Sequence, residues 1–419
     1  MSAHQTLFIT LFTFIDGLML SIYGTIFNLM LRQSNIPTNI VGRITSFSLW
    51  GAAIFGLVFG LIADKFDKRK IILLSQLLSI LFGTYRIFSN SAINLGILSF
   101  FFGGLSTSSN VILSTLLVLK TNSENRAKFF GLNFGVGMFT GVIGNIVGGT
   151  LGDIFGIRPV LFFSSILRLL AIIPLRRITV EGDETAEKHA VYSSFDRLNK
   201  LSKDKHLNSV SVDLDRGFSL RLKNLKEIFD LFSPRYSKVV FYYLLSVVSV
   251  GFGAGLFVTF GNVIFYDLFH FNASVIGVIL ALAQFATSLG AVFSHKLGKR
   301  FGDANILVFS YVAVPILIVA LSFIHDPVVF TSVYVLRFAV MNMVSPLLSA
   351  LVYSNIPKNK LATVNGISNF VNNLSRALSA ELFALLTVFK SGYTLIFVIS
   401  SVFYFANAYV MIRLYKHLS

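Results

Sequence analysis

The chain contains no cysteine. That absence removes disulfides, thiol catalysis and cysteine-ligated metals, and it leaves the redox compartment open. Charge is also scarce. Only 13% of the 419 residues are Asp, Glu, Lys or Arg, whereas a soluble domain carries about 25%. The signatures of soluble-enzyme chemistry are missing as well: there is no histidine cluster, no phosphate-cradling Gly-Lys-Ser loop and no nucleophile elbow. The expectation is a protein that is not an enzyme, holds no cofactor or metal, and is not driven by ATP through this chain.

What fills the sequence instead is apolar. Hydrophobic residues make up 54% and the mean hydropathy is +0.75. No soluble fold hides that much apolar surface, so part of the solvent must be a lipid bilayer, which a helix crosses in about 20 residues. The apolar runs fall near 6–31, 40–63, 70–89, 92–119, 128–152, 158–176, then 237–269, 274–295, 304–324, 327–353, 361–388 and 392–414. These runs predict an all-α membrane protein with about twelve spans, six on each side of a polar segment. Runs this long exclude barrel strands. The run from Leu7 to Leu31 is too long for a cleaved signal and lacks a basic leader, so it reads as the first span.

The division is 1–177, a first six-helix bundle; 178–236, a polar linker; and 237–419, a second bundle. The linker is rich in Asp, Glu, Lys, Ser and Asn and begins as a disordered composition. Within it, 220–232 places Leu222, Leu225, Ile228, Phe229 and Phe232 on one stripe beside Arg221, Lys223 and Lys226. That pattern suits a helix lying on the membrane surface, or an ordinary linker helix.

Lys plus Arg is 35 and Asp plus Glu is 19, a formal charge of +16. In a soluble protein this excess would suggest nucleic acid. Here the bases are scattered between spans and no nucleic-acid motif appears, so no such partner is expected. One side of the bundle collects Lys65, Lys68, Arg69, Lys70, Lys120, Arg126, Lys128, the central segment, Lys296, Lys299, Arg300, Lys358, Lys360, Arg413 and Lys416. The other side has Arg32, Arg86, Arg158 and Lys390, with Asp153, Asp267 and Asp326. The first, basic face is expected to be cytoplasmic, with both termini on it and the protein in the plasma membrane. The second is called the sparse face below.

The two halves look related. "NIVG" and "SVIG" lie 235 residues apart (Gly42 to Gly277), and "RAKFFG" and "LATVNG" lie the same 235 apart (Gly131 to Gly366). "DKFDKR" and "HKLGKR" lie 231 apart (Arg69 to Arg300). Three weak matches in order, each at the corresponding helix junction, argue for a duplicated six-helix unit, a known transporter architecture.

With these residues in view, the sequence resembles the major facilitator superfamily. Between the second and third spans, six of seven residues from Asp64 to Lys70 are charged. They carry that family's loop signature as Gly60, Asp64, Lys65, Asp67, Lys68 and Arg69, with Asp67 where glycine is usual. The second copy is Ala291, His295, Lys296, Gly298, Lys299 and Arg300. The fifth-helix glycine pattern of exporters survives as Gly131, Gly144, Gly148 and Gly149, with Thr140 and Asn145 replacing a glycine and the proline. The fourth-helix arginine linked to proton exchange is replaced by Ser99. These departures argue against classical proton-antiport drug export. The resemblance implies two six-helix bundles, a central cavity and alternating access.

Two groups of candidate residues follow. At the basic face, Gly60, Asp64, Lys65, Lys68 and Arg69 with Lys296, Lys299 and Arg300 form a candidate cytoplasmic gate. There Asp64 would meet a helix N-terminus across the bundle interface and Lys68 or Arg69 would hold a carboxylate. The lysines equally satisfy the positive-inside rule.

Deep in the spans, ionisable residues are functional candidates. Asp16 lies about 15 Å into the first span and is a candidate for proton or substrate contact. Arg337, about ten residues into the tenth span, is a candidate for an anionic group or for pairing with Asp16; a structural ion pair is the plainer alternative. Arg376 and Glu381 sit in the eleventh span, five apart and poorly placed to pair. That span is polar: Asn365, Asn369, Asn372, Asn373, Ser375 and Arg376 line the cavity or form interhelical hydrogen bonds. Asn342 is a lesser candidate, and Arg168 is expected to snorkel or pair locally.

The reading is a monomeric secondary transporter of a small organic solute, anionic or amphipathic, with protons as the candidate coupling ion. Efflux of hydrophobic compounds is an alternative. A membrane receptor or scaffold is the alternative of another class.

Overall fold

A computed structural model of the chain describes residues 3–62, 67–119, 121, 123–178, 237–354 and 361–418. The linker helix expected at 220–232 and two gate residues, Asp64 and Lys65, lie outside the described residues.

The first half is built from α1 (Ala3–Gln33), α2 (Thr38–Ile62), α3 (Lys68–Phe88), α4 (Ala92–Leu119), α5 (Ser123–Phe155), α6 (Ile157–Leu167) and α7 (Ile172–Arg176). The second comprises α8 (Ser237–Phe257), α9 (Gly261–Phe269), α10 (Ala273–Phe301), α11 (Asp303–Leu321), α12 (Pro327–Ser354), α13 (Leu361–Leu386) and α14 (Gly392–Leu418). A 3-10 turn at Arg168–Ala171 joins α6 to α7, and a short turn joins α8 to α9, so these four helices make the sixth and seventh spans. The result is twelve spans in two six-span halves.

Among the described residues, nine helical stretches are long and apolar enough to cross a membrane, and Asn305–Leu321 and Pro327–Met343 are shorter apolar ones. Their lipid side stays apolar: Leu81, Phe163, Phe241, Val292 and Val402 are exposed. α13 is the exception. Its asparagines interrupt the apolar run, and the helix is held between α2 of the first half and α8 of its own half.

Local signals set several boundaries. Asp67 caps α3, its Oδ1 accepting from the amides of Arg69 at 2.9 Å and Lys70 at 3.3 Å. Asn272 caps α10 by accepting from the amide of Val275. The turns that end α9 and α10 fall at His270 and Gly302, both at positive φ. The break before α9 lets Asn262 donate to the carbonyl of Thr25 at 2.9 Å, tying α9 to α1.

The halves meet through two matching contacts. A Cβ on Gly42 would meet Ala384 Cβ of α13 at 2.9 Å, and a Cβ on Gly149 would meet the Ala273 carbonyl and Gly277 of α10. Gly42 to Gly277 and Gly149 to Ala384 are both 235 residues, so the repeat offset read from the sequence relates the two interfaces. Small residues let the backbones approach closely at both.

Candidate functional site

At the sparse face, one carboxylate fastens the halves together. Asp267, near the end of α9, accepts from Arg32 Nε at 2.9 Å on one oxygen. Its other oxygen accepts from Thr38 Oγ1 and from the Tyr393 hydroxyl, each at 2.6 Å. Arg32 ends α1, Thr38 starts α2 and Tyr393 starts α14, so three helix ends converge on one acid. A cleft of about 630 Å³ lies above it, lined by Arg32, Asn35, Pro37, Tyr266, Asp267 and His270.

A second acid works beside it. Asp153, near the end of α5, accepts from the amides of Ala273 at 3.1 Å and Ser274 at 2.7 Å. These are the first amides of α10, where the helix dipole favours a carboxylate. An acid meeting a helix N-terminus across the bundle interface is the contact expected of Asp64 at the basic face. Among the described residues it is made by Asp153 at the opposite face.

Nearer the middle, Ser46 Oγ donates to the Ala377 carbonyl at 2.9 Å, and Gln284 reaches Met138 Sδ at 2.7 Å. Closer to the basic face, open space lies beside α5 and α13. A Cβ added to Gly131, Gly135 or Gly137 of α5, or to Gly366 of α13, would meet nothing within 4 Å. Lys296, Lys299 and Arg300 are exposed at the end of α10. Arg69, expected to hold a carboxylate, instead donates to the carbonyls of Arg176 at 3.3 Å and Ile178 at 3.2 Å, within its own half. Lys68 is half-buried in the first turn of α3, and Gly60 lies in the last turn of α2.

The core of the first half holds a closed polar network. Asp16 is buried, and its Oδ1 accepts from Arg168 Nε at 2.7 Å and Gln76 Nε2 at 2.5 Å. Arg168 also donates to Ser79 Oγ at 3.0 Å and Gln76 Oε1 at 3.4 Å. The candidate pairing of Asp16 with Arg337 is therefore corrected: the guanidinium on Asp16 is that of Arg168, and Arg337 donates instead to Tyr404. Arg168 is the first residue of the 3-10 turn in the sixth span and is buried there.

Arg86, read from sequence as a loop residue, is also corrected. It is buried between the rings of Phe27 and Phe102, its Cζ 3.7 and 3.8 Å from their centroids. Its Nε donates to the Tyr23 hydroxyl at 2.8 Å, and a terminal nitrogen to Ser99 Oγ at 3.2 Å.

The second half holds two arginines that pair with no carboxylate among the described residues. Arg337 is buried in α12 and donates to the Tyr404 hydroxyl of α14. Its Cζ lies 4.9 Å from the rings of Phe257 and Phe338 and 5.0 Å from that of Tyr404. Arg376 of α13 is half-buried, and α8 packs against both it and Tyr404: a Cβ on Gly255 would meet Arg376 Cα at 3.0 Å, and one on Gly253 the Tyr404 ring at 2.7 Å. The Nε atoms of Arg337 and Arg376 are buried without a hydrogen-bond partner among the described residues. Glu381, also half-buried, makes no ion pair with either among those residues. Asn342 donates to Thr287 Oγ1 at 3.2 Å and the Phe338 carbonyl at 2.8 Å, tying α12 to α10.

Sequence reasoning missed Asp267, Asp153 and Tyr393, which it left among loop or apolar residues. One signal for the first was present: Arg32 and Asp267 are opposite charges at the repeat offset of 235.

Comparison with known proteins bears on the whole chain. The chain is 23% identical over 301 residues to the tetracycline resistance protein, class H, of Pasteurella multocida. That match covers 70% of this chain and 66% of that protein, just under two thirds of its length. Among solved structures, a bacterial homologue of the human lysosomal transporter Spinster, in an inward-facing and occupied conformation, superposes with a TM-score of 0.70. Its identity is 14%, and the match covers 98% of this chain and 96% of that one. The nucleoside transporter NupG gives a TM-score of 0.71 at 13% identity, covering 98% and 99%. At these identities the structures share the fold alone. The family model described as Major Facilitator Superfamily matches residues 9–380. The chain belongs to the Major Facilitator Superfamily.

Proposed function

We propose that the protein carries a small organic solute across the plasma membrane by alternating access, and that this structure is its state open to the cytoplasm. One contrast carries the reading: hydrogen bonds fasten the halves at one face, and open space flanks α5 and α13 near the other. Asp267 and Asp153 join them at the sparse face, while the glycines of α5 and α13 near the basic face point into open space. The basic face is cytoplasmic by the positive-inside rule. A transporter that rocks its two halves needs contacts that hold one face and break when the other closes. Asp16 is the acid assigned to proton coupling, because a proton on it would release Arg168, which reaches across to α3. The basic cluster around Asp64 and Lys65 takes over as the cytoplasmic gate once that face closes.

The test is flux. Purified protein in proteoliposomes should accumulate radiolabelled benzoate above protein-free vesicles, and a pH gradient should change the rate. Protein-free rates for every solute that stabilises the purified protein would overturn the reading. The match to a tetracycline resistance protein favours a second reading, efflux of hydrophobic compounds. Tetracycline flux exceeding benzoate flux would select it.

A further inference from the structure

We infer that Arg337, Arg376 and Tyr404 form an oxyanion site in the second half, which takes the carboxylate or phosphate of the transported solute. The inference rests on the transporter reading and names the chemistry of its cargo.

The first observation is a charge without a counter-charge. A guanidinium does not lose its proton inside a protein. Burying one is costly unless it is paired and its donors are used. Arg337 and Arg376 both bury an Nε that finds no acceptor among the described residues, and no carboxylate there pairs with either. Arg337 donates to the Tyr404 hydroxyl, and α8 packs on both Tyr404, at Gly253, and Arg376, at Gly255.

The first half offers a contrast. In the first half, Arg168 has Asp16 as its partner at 2.7 Å. The repeat offset of 235 carries Asp16 to Gly251, which has no side chain. A Cβ on Gly251 would meet Ser375 Cβ at 2.8 Å, so α8 and α13 have closed over the place. Arg168 in the first half thus has an anion, whereas among the described residues Arg337 and Arg376 have none.

The third observation is access. On α13, Asn369, Asn373 and Arg376 follow at spacings of four and three and share one stripe. Asn369 is exposed, Asn373 and Arg376 are half-buried, and the stripe ends at buried Ala380 and Phe383. The opposite arc carries Leu378 and Leu385, exposed as a lipid-facing arc should be. At the open end of the polar stripe, nothing lies within 4 Å of a Cβ on Gly366. The stripe leads from the basic face toward Arg376, whose buried Nε has no partner among the described residues. An oxyanion held between two guanidinium groups and a hydroxyl is met by charge-assisted hydrogen bonds. Phe257 and Phe338 beside Arg337 would receive an apolar body attached to it.

The experiment is calorimetric titration of the purified full chain with benzoate, phenyl phosphate, inorganic phosphate and the neutral benzyl alcohol. Benzoate or phenyl phosphate should bind and benzyl alcohol should not. The tighter of the two names carboxylate or phosphate as the cargo, and inorganic phosphate shows whether the apolar body contributes. Arg376→Gln and Arg337→Gln should each weaken binding about tenfold or more, and Arg376→Lys should recover part of the loss. Should a variant fail to fold, phenylglyoxal labelling of wild-type protein replaces it, with benzoate shielding Arg376 and Arg337. Equal affinity for benzyl alcohol, or unchanged affinity and labelling, overturns the site. Anion binding without any flux would overturn the transporter reading and leave the site standing. Flux of a neutral solute with no anion binding would do the reverse.

Discussion

Arg32 and Asp267 stand 235 residues apart in the chain and 2.9 Å apart in the structure. The same offset relates Gly42 to Gly277, so the two residues occupy equivalent places in the two repeats, at the end of the first span of each half. They carry opposite charges where symmetry would have placed like ones. Opposite charges at equivalent places make this contact the lock of the proposed cycle.

That lock is the first test. Asp267→Asn removes the charge that Arg32 meets and weakens the acceptor that Thr38 and Tyr393 share. The pair is only partly buried, 22% and 10% exposed, so the loss should be about 1–2 kcal/mol. Such a change shifts a two-state population by about five- to thirtyfold. Transport should rise or fall with that population while the melting temperature moves little. Unchanged kinetics at every solute concentration would count against the lock.

Close backbone approach gives a steric test. Any side chain at Gly149 runs into the Ala273 carbonyl, and any at Gly277 into the Asn145 carbonyl. Gly149→Leu should therefore prevent closure of the sparse face and trap the opposite state. Flux should fall to background with protein yield retained. Wild-type flux from a folded Gly149→Leu protein would contradict the closure described for α5 and α10.

The Asp153 cap is milder. Asp153→Ala leaves the first amides of α10 without their carboxylate, which should cost about 1 kcal/mol at the interface. Asp153→Asn keeps an acceptor and should recover part of the effect. Hydrogen exchange at Ala273 and Ser274 reads it directly: faster in Asp153→Ala, intermediate in Asp153→Asn.

Asp16 and Arg168 make a double-mutant cycle. Asp16→Asn leaves Arg168 buried beside a neutral amide and should destabilise the first half by about 3–5 kcal/mol. Adding Arg168→Gln removes the orphan charge and should restore part of the loss, so the two effects will not add. If Asp16 couples protons, any surviving flux in the double variant should lose its response to a pH gradient.

How much of this was legible in the sequence varies by element. The spans follow from apolar run length, and the repeat from short motifs at a constant offset. α13 was legible as a polar stripe because asparagines at spacings of three and four share a face. The partners of buried charges were not legible. Which way a side chain points depends on the rotation of its helix, and linear spacing does not fix that between distant helices. Arg168 illustrates the point: it meets Asp16, 152 residues away in the chain. Arg86 was misplaced for another reason: it lies in the last turn of α3, where a base reads as a loop residue, yet its side chain runs back between Phe27 and Phe102. The sparse-face acids looked like unremarkable loop charge because the positive-inside rule weighs bases and ignores acids.

The central claim is that the two faces of this molecule open and close in opposition about the Asp267 lock. The chain has no cysteine, so spin labels can be placed without background. One pair, Ser34→Cys with Lys390→Cys, reports the sparse face; the other, Gly131→Cys with Val292→Cys, reports the basic face. Double electron–electron resonance is recorded on each pair, with and without Asp267→Asn. The account predicts a short sparse-face distance and a long basic-face distance in the parent, and in Asp267→Asn a second population with both reversed. A sparse face that opens while the basic-face distance stays fixed, or distances that ignore Asp267→Asn, would contradict it.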